Sequence, residues 1–197
     1  MKIGFDLDDV LVDFVPSFLE FFNRTSQFKF TKEMIHCYDM TIPLGISHKA
    51  FDEVINEFYK SEKFGNLTPQ IGALEYLPAI KMDNELVIVT GRPKRVEDIT
   101  FELVNKYFSE FFSGVYLSHQ EGISKTAIVK GEHCKKLGLN LLVEDCLEYA
   151  VECSKNGTKA LLLDAPWNEC DKEFEKKHNL TRVYNWEDIA KKIYEHE

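Results

Sequence analysis

The chain has 197 residues, 24 Lys and Arg against 33 Asp and Glu for a net charge of −9, and a hydrophobic fraction of 44%. That length suits one domain, or one domain carrying a small insertion, and that apolar content builds a core, which excludes long intrinsic disorder. The acidic balance argues against a protein that grips duplex nucleic acid through its phosphates, because such binding is largely cationic, while leaving room for one phosphate in a small pocket.

The chain opens Met1-Lys2-Ile3-Gly4-Phe5-Asp6, with an acid where a secretory signal would need its apolar run. No stretch approaches the roughly 18 uncharged apolar residues of a membrane span. The expectation is a cytoplasmic protein with no membrane association. Residues 2–7 form the first predicted strand. From about 13 to about 78 there is no strand pattern, only aromatic-rich helical segments broken by Pro43, Gly45, Gly65 and Pro69. A helical cap inserted at 13–78 is the reading, with residues 1–12 and 79–197 as the core.

Beyond the cap, short Val-, Ile- and Leu-rich runs at 85–90, 114–117, 139–143, 159–163 and 182–184 lack polar alternation, as expected of strands covered on both faces. Helical patterns at 96–108, 126–137, 148–156 and 186–195 lie between or after them. Strand and helix alternating in this way predict an α/β fold, a Rossmann-like parallel sheet with right-handed crossovers. Five cysteines, odd in number and without a C-x-x-C pair, read as reduced thiols rather than a disulfide frame or a zinc site.

In open parallel sheets ligands bind beyond the carboxyl ends of the strands, so the polar groups there carry the functional argument. The first strand ends in Asp6-Leu7-Asp8-Asp9, the second in Thr90-Gly91-Arg92, and the fourth in Glu144-Asp145. Carboxylates crowded at strand ends repel one another unless a cation sits among them, and oxygen ligands suit Mg²⁺ far better than zinc. An isolated Asp-x-Asp serves as well for a cap or turn; the second acidic pair favours the metal reading. Asp6, Asp8 and Asp145 are the candidate metal residues, with Glu144 in support.

A carboxylate beside such an ion can attack phosphorus, and Asp6 is the candidate nucleophile. Asp8, two residues on, is placed for general acid–base work, whereas Asp9 reads as a structural turn residue. Thr90 and the Gly91 amide can donate to a phosphoryl oxygen, or merely start a helix. Arg92 can meet substrate phosphate or the acidic surface. A lysine is needed to neutralise the charge that builds on the phosphoryl group; Lys125 and Lys130 both qualify.

These residues, Asp6-x-Asp8, Thr90, a helix lysine and Glu144-Asp145 in that order, resemble the motifs of the haloacid-dehalogenase superfamily of phosphatases. The resemblance implies a Rossmann-like core, Mg²⁺, an aspartyl-phosphate intermediate and a cap after the first strand. The opening Phe5-Asp6-Leu7-Asp8-Asp9-Val10-Leu11-Val12-Asp13-Phe14 is similar to the start of the 5′(3′)-deoxyribonucleotidases and of bacterial nucleotidases grouped with them. The late stretches 161–168 and 182–186 are similar to the ends of those bacterial proteins.

The resemblance favours Lys130, which stands 14 residues before Glu144, as the motif lysine, with Lys125 as substitute. It gives Phe14 a role in substrate binding; Phe18, close to the first motif, is kept more weakly beside it, and the other cap aromatics read as packing. Asp9 stands where many relatives have Gly, and Thr90-Gly91-Arg92 differs from the Thr-Ser of the deoxyribonucleotidases. The expected substrate is a small phosphomonoester, a nucleotide first, with a sugar phosphate or a 3′-phosphate end as the alternative, acted on by a monomer or homodimer. A receiver-type signalling domain shares the acids, Thr, Lys and Mg²⁺ but orders them differently. A non-catalytic phosphate-binding protein would be expected to have lost Asp6, Asp8 or the lysine.

Overall fold

Ile3, Gly4 and Phe5 are buried on both faces of the first strand, as an unbroken apolar run requires. In the computed structural model, which describes residues 1–118 and 130–195, this strand, β1 (Lys2–Phe5), is followed by five helices: α1 (Phe14–Phe22), α2 (Thr41–Leu44), α3 (His48–Tyr59), α4 (Glu62–Gly65) and α5 (Ala73–Met82). Then come β2 (Glu85–Thr90), α6 (Glu97–Phe108), β3 (Val115–Leu117), α7 (Lys130–Lys136), β4 (Leu141–Glu144) and α8 (Leu147–Lys155). The chain closes with β5 (Lys159–Leu163), α9 (Lys172–Lys177), β6 (Leu180–Val183) and α10 (Trp186–Tyr194).

The six strands form one parallel sheet in the order β3-β2-β1-β4-β5-β6. The order reverses at β1, so the crevice beyond the carboxyl ends of β1 and β4 is the topological switch point, where α/β sheets bind ligands. The observed β4 starts two residues later than the apolar run 139–143 predicts. Gly138, at φ +69°, ends α7 with two closing bonds, Leu139 N–H to the Cys134 carbonyl and Gly138 N–H to that of Lys135, both 3.0 Å. Leu139 is thereby spent on the helix stop rather than the strand. It packs onto β1, where a Cβ at Gly4 would lie 2.5 Å from its Cδ1.

Between β1 and the cap, residues 7–12 make a tight loop in which the Leu11 and Val12 amides both donate to the Leu7 carbonyl at 3.0 Å. The chain leaves the core at Val12 and returns beside it: Val12 bridges Pro69 in antiparallel fashion, and the Asp13 amide donates to the Thr68 carbonyl. This crossing lies before α5, and α5 packs on α10, with Gly72 set closely against Trp186. Within the expected cap interval 13–78, α5 thus follows the crossing and packs on the C-terminal helix α10 of the core. The interior of the cap is a cluster of rings from α1, α3 and α4: Phe18 stacks on Phe22 and meets Phe58 edge-on at 5.4 Å, and Phe58 meets Phe64 at 5.5 Å. All five cysteines are free thiols. No described helix is long and apolar enough to cross a membrane.

Candidate active site

Parallel pairing of β1 with β4 sets Phe5 opposite Val143, and the Asp6 amide donates to the Val143 carbonyl at 2.9 Å. The next residue of each strand, Asp6 and Glu144, therefore emerges at the same end of the sheet. Lys130, at the start of α7, reaches the same point. Its ammonium is buried, donates to Asp6 Oδ1 and lies 2.5 Å from Glu144 Oε2. Burial works against charge on this lysine, but Asp6 and Glu144 outweigh it and hold the ammonium well above the usual range.

The carboxylates respond in the opposite direction. Burial pushes Asp6 from 3.8 up to about 7, against the opposing pull of Lys130 and with further upward pressure from Glu144 and Asp8. Asp145 is raised well above the ordinary carboxylate range by burial, then by Glu144, Asp6 and Asp9. Oxygens of Asp6, Glu144 and Asp145 lie within 4.8 Å of one another. The donor set is all oxygen, buried and over-rich in negative charge, which fits a hard divalent cation. Glu144 is the least available ligand of the three. Its Oε2 is taken by Lys130, and its Oε1 accepts the amides of Asp145 and Cys146 at 3.2 and 3.1 Å.

Of the four expected metal residues, Asp6, Glu144 and Asp145 bring carboxylate oxygens together, and the Asp8 carboxylate lies in a separate contact. Both of its oxygens are held by Arg92, Nε to Oδ2 at 2.9 Å and Nη2 to Oδ1 at 2.6 Å. Arg92, expected to meet either substrate phosphate or the acidic surface, has a side chain 2% exposed at the cavity wall and engaged with Asp8 and Thr100. Asp9 is structural, as expected: it adopts φ +56°, and its carboxylate accepts the Val15 amide at the start of α1. That left-handed φ is one that Gly adopts without strain.

Thr90 is buried at the end of β2, its hydroxyl oxygen accepting the Arg92 amide at 3.2 Å, which leaves its proton free to be donated. Gly91 is open toward α8, where a Cβ would meet the Tyr149 hydroxyl at 3.9 Å. Asp6, Asp8, Thr90, Gly91, Arg92, Glu144 and Asp145 all line one cavity of about 860 Å³ between the core and the cap. Phe14 lines it too, together with Phe51 and Tyr59. Phe18, the other expected substrate residue, is not among the lining residues and is completely buried among Phe14, Phe22, Phe51 and Phe58. Lys125 lies outside the described residues.

Two wall residues escaped the sequence reading. Trp167 donates its indole N–H to Asp145 Oδ2 at 2.8 Å, and the adjacent Asn168 donates to the Asp145 carbonyl at 2.6 Å. Tyr149, on the first turn of α8, lays its ring 5.2 Å from the Lys130 ammonium and meets Tyr38 of the cap edge-on. The available signal was position: Trp167 follows β5 and Tyr149 follows β4, both at the binding end of the sheet.

A reversing parallel sheet, strand-end acids around a buried lysine and an inserted helical cap define a haloacid-dehalogenase-type phosphoric monoester hydrolase. The family model described as 5′ nucleotidase, deoxy (pyrimidine), cytosolic type C protein matches residues 1–195, and the chain belongs to that family. Among curated proteins it is similar to the candidate nucleotidase YqfW of Bacillus subtilis, 23% identical over 94% of this chain and 90% of the relative. Among solved structures it resembles a predicted phosphatase from Clostridium acetobutylicum, with a TM-score of 0.70, 15% identity and 98% of each chain covered. A haloacid-dehalogenase-family hydrolase from Deinococcus radiodurans, solved with bound phosphate and sodium, superposes with a TM-score of 0.63 at 16% identity, over 93% of this chain and 90% of that one.

Proposed function

We propose that the protein is a Mg²⁺-dependent 5′-nucleotidase that hydrolyses nucleoside or deoxynucleoside monophosphates through a phosphorylated Asp6. The observation that carries this reading is the single buried ammonium of Lys130 set against both Asp6 and Glu144, with Asp145 alongside. That arrangement keeps the Asp6 carboxylate in place and sets one fixed positive charge behind it, where it offsets part of the negative charge that builds during phosphoryl transfer. Asp6 and Asp145 would hold Mg²⁺, which when bound neutralises the crowded acids and polarises a phosphoryl oxygen.

In the first half-reaction an Asp6 oxygen attacks phosphorus, the ester P–O bond breaks, and the departing alkoxide takes a proton from Asp8. In the second, water attacks phosphorus and gives its proton back to Asp8. The bond to Asp6 breaks, and inorganic phosphate leaves. Thr90 donates its hydroxyl proton, and Gly91 its amide, to the phosphoryl oxygens. The cavity volume suits a mononucleotide, and Phe14, Phe51 and Tyr59 offer ring faces to a base. The membership in a nucleotidase family supports the substrate class.

The test is phosphate release, with and without Mg²⁺, across nucleoside and deoxynucleoside monophosphates, sugar phosphates and an aryl phosphate. Selective, Mg²⁺-dependent turnover of nucleotides is expected, together with a folded but inactive Asp6→Asn variant. Turnover of sugar phosphates in preference to nucleotides would overturn the substrate, and near-native activity in Asp6→Asn would overturn the nucleophile.

A further inference from the structure

Arg92 is the most fully enclosed arginine contact of the site, and its partners come from three directions. Its Nε and Nη2 hold the two oxygens of Asp8, while Nη1 donates to Thr100 Oγ1 of α6 at 3.2 Å. Thr100 is itself fixed, donating to the Val96 carbonyl at 2.7 Å. The guanidinium lies 4.6 Å from the ring centre of Phe64, in cap helix α4. Its backbone amide donates to the Thr90 hydroxyl oxygen. One residue therefore orients groups from two strand ends, the Asp8 carboxylate with its side chain and the Thr90 hydroxyl with its main chain.

We infer that Arg92 is a positioning residue for the proton transfers of the reaction: its two parallel N–H groups fix the plane and rotation of the Asp8 carboxylate toward the leaving oxygen. This inference rests on the reading of Asp8 as the proton donor and acceptor. The geometry supports it in two ways. Both residues border the cavity, but Asp8 is the more open member of the pair, its side chain 24% exposed against 2% for Arg92. The anchor is thus the enclosed residue and the functional face the more accessible one. A planar fork holds both carboxylate oxygens at once, which a lysine ammonium at the same place does not.

The consequence is a dependence on the leaving group. A nucleoside alkoxide must be protonated as it departs, whereas a p-nitrophenolate leaves readily without a proton. The experiment compares kcat/KM, which reports the steps through phosphorylation of Asp6, for a nucleoside 5′-monophosphate and for p-nitrophenyl phosphate. It uses the wild-type chain and the variants Asp8→Asn, Arg92→Lys, Arg92→Gln and Thr100→Val, with thermal midpoints measured in parallel. For Asp8→Asn the nucleotide should lose about 100-fold or more relative to the aryl phosphate, in the range that general acid catalysis supplies.

Arg92→Lys and Arg92→Gln should show the same selective pattern, about tenfold or more against the nucleotide, and Thr100→Val a weaker version of it. Millimolar guanidinium should restore part of the nucleotide activity of Arg92→Gln. Equal losses on both substrates, an unchanged ratio, or faster nucleotide turnover from a released Asp8 would overturn the role of Arg92. A leaving-group-independent loss in Asp8→Asn would overturn instead the reading of Asp8 on which the inference rests. Arg92→Lys and Thr100→Val keep the question decidable should Arg92→Gln fail to fold.

Discussion

Lys130 and Glu144 face each other across 2.5 Å at the binding end of the sheet, both buried, with the same ammonium also donating to Asp6. A buried ion pair adds little when compared with a well-packed apolar pair, but removing one partner strands the other charge. Lys130→Met should therefore cost about 3–5 kcal/mol of stability and lower turnover about 100-fold or more, the scale seen when a transition-state donor is lost. Adding Glu144→Gln to Lys130→Met removes one of the two stranded charges while keeping an acceptor for the amides of Asp145 and Cys146. Denaturant melts should show part of the stability returning, and phosphate release should not recover with it.

The acids of the site set how stability responds to pH and to a divalent cation. Asp6 titrates at about 7 in the folded chain against an ordinary value of 3.8, so between those values the native state holds more protons than the unfolded state. Its contribution to stability is then full at low pH and declines as pH rises from about 4 through about 7. Asp145 shifts in the same direction. A cation takes the place of the protons, so Mg²⁺ should raise the thermal midpoint more at pH 8 than at pH 5.5, and EDTA should reverse the effect. Equal stabilisation at both pH values, or none, would count against a metal among these carboxylates.

Phe14 and Phe18 stand four residues apart on α1, their rings 6.3 Å apart, yet they belong to different environments. Phe14 lines the cavity, and Phe18 is wholly enclosed by neighbouring rings. Truncating Phe18 to Ala should cost about 3–5 kcal/mol, as for large-to-small changes in a core, and leave the preference among substrates unaltered in the molecules that remain folded. Phe14→Ala should instead raise KM for nucleotides more than for p-nitrophenyl phosphate. Steady-state kinetics on a two-substrate panel, read beside the melting curves, separates the two.

That pair also marks where sequence information stops. Strand positions were legible because both-face burial leaves apolar runs with no polar alternation, and β2 and β5 fall where those runs lie. The strand-end carboxylates were legible for a related reason: a polar group directly after such a run has to emerge at the sheet's end. Helical spacing, however, places Phe14 and Phe18 on one side of α1 without saying which of them the cap's other helices cover. The pairing of Arg92 with Asp8 spans 84 residues and depends on how β2 sits beside β1 and how α6 backs the turn. No local pattern encodes it. The Schellman closure at Gly138, by contrast, carries a local signal, a Gly between two Leu, which the apolar run around it obscured.

Trp167 offers the remaining test, because its indole N–H reaches Asp145 Oδ2 at 2.8 Å while its ring forms part of the cavity wall. Partners of this kind hold a ligating carboxylate in one rotamer, and their loss typically weakens metal affinity by about 10- to 100-fold. Trp167→Phe keeps most of the apolar ring and removes the donor, so the fold should survive and the Mg²⁺ concentration giving half-maximal thermal stabilisation should rise about tenfold. Asn168 supports the same residue through its backbone, donating to the Asp145 carbonyl at 2.6 Å and to that of Leu163 at 2.8 Å, and is itself held by Arg182. Asn168→Ala should therefore add to the effect of Trp167→Phe by less than the sum of the two, since both variants loosen one carboxylate. A Mg²⁺ titration unmoved by Trp167→Phe would make the indole contact a packing detail and return the ordering of Asp145 to the strand end alone.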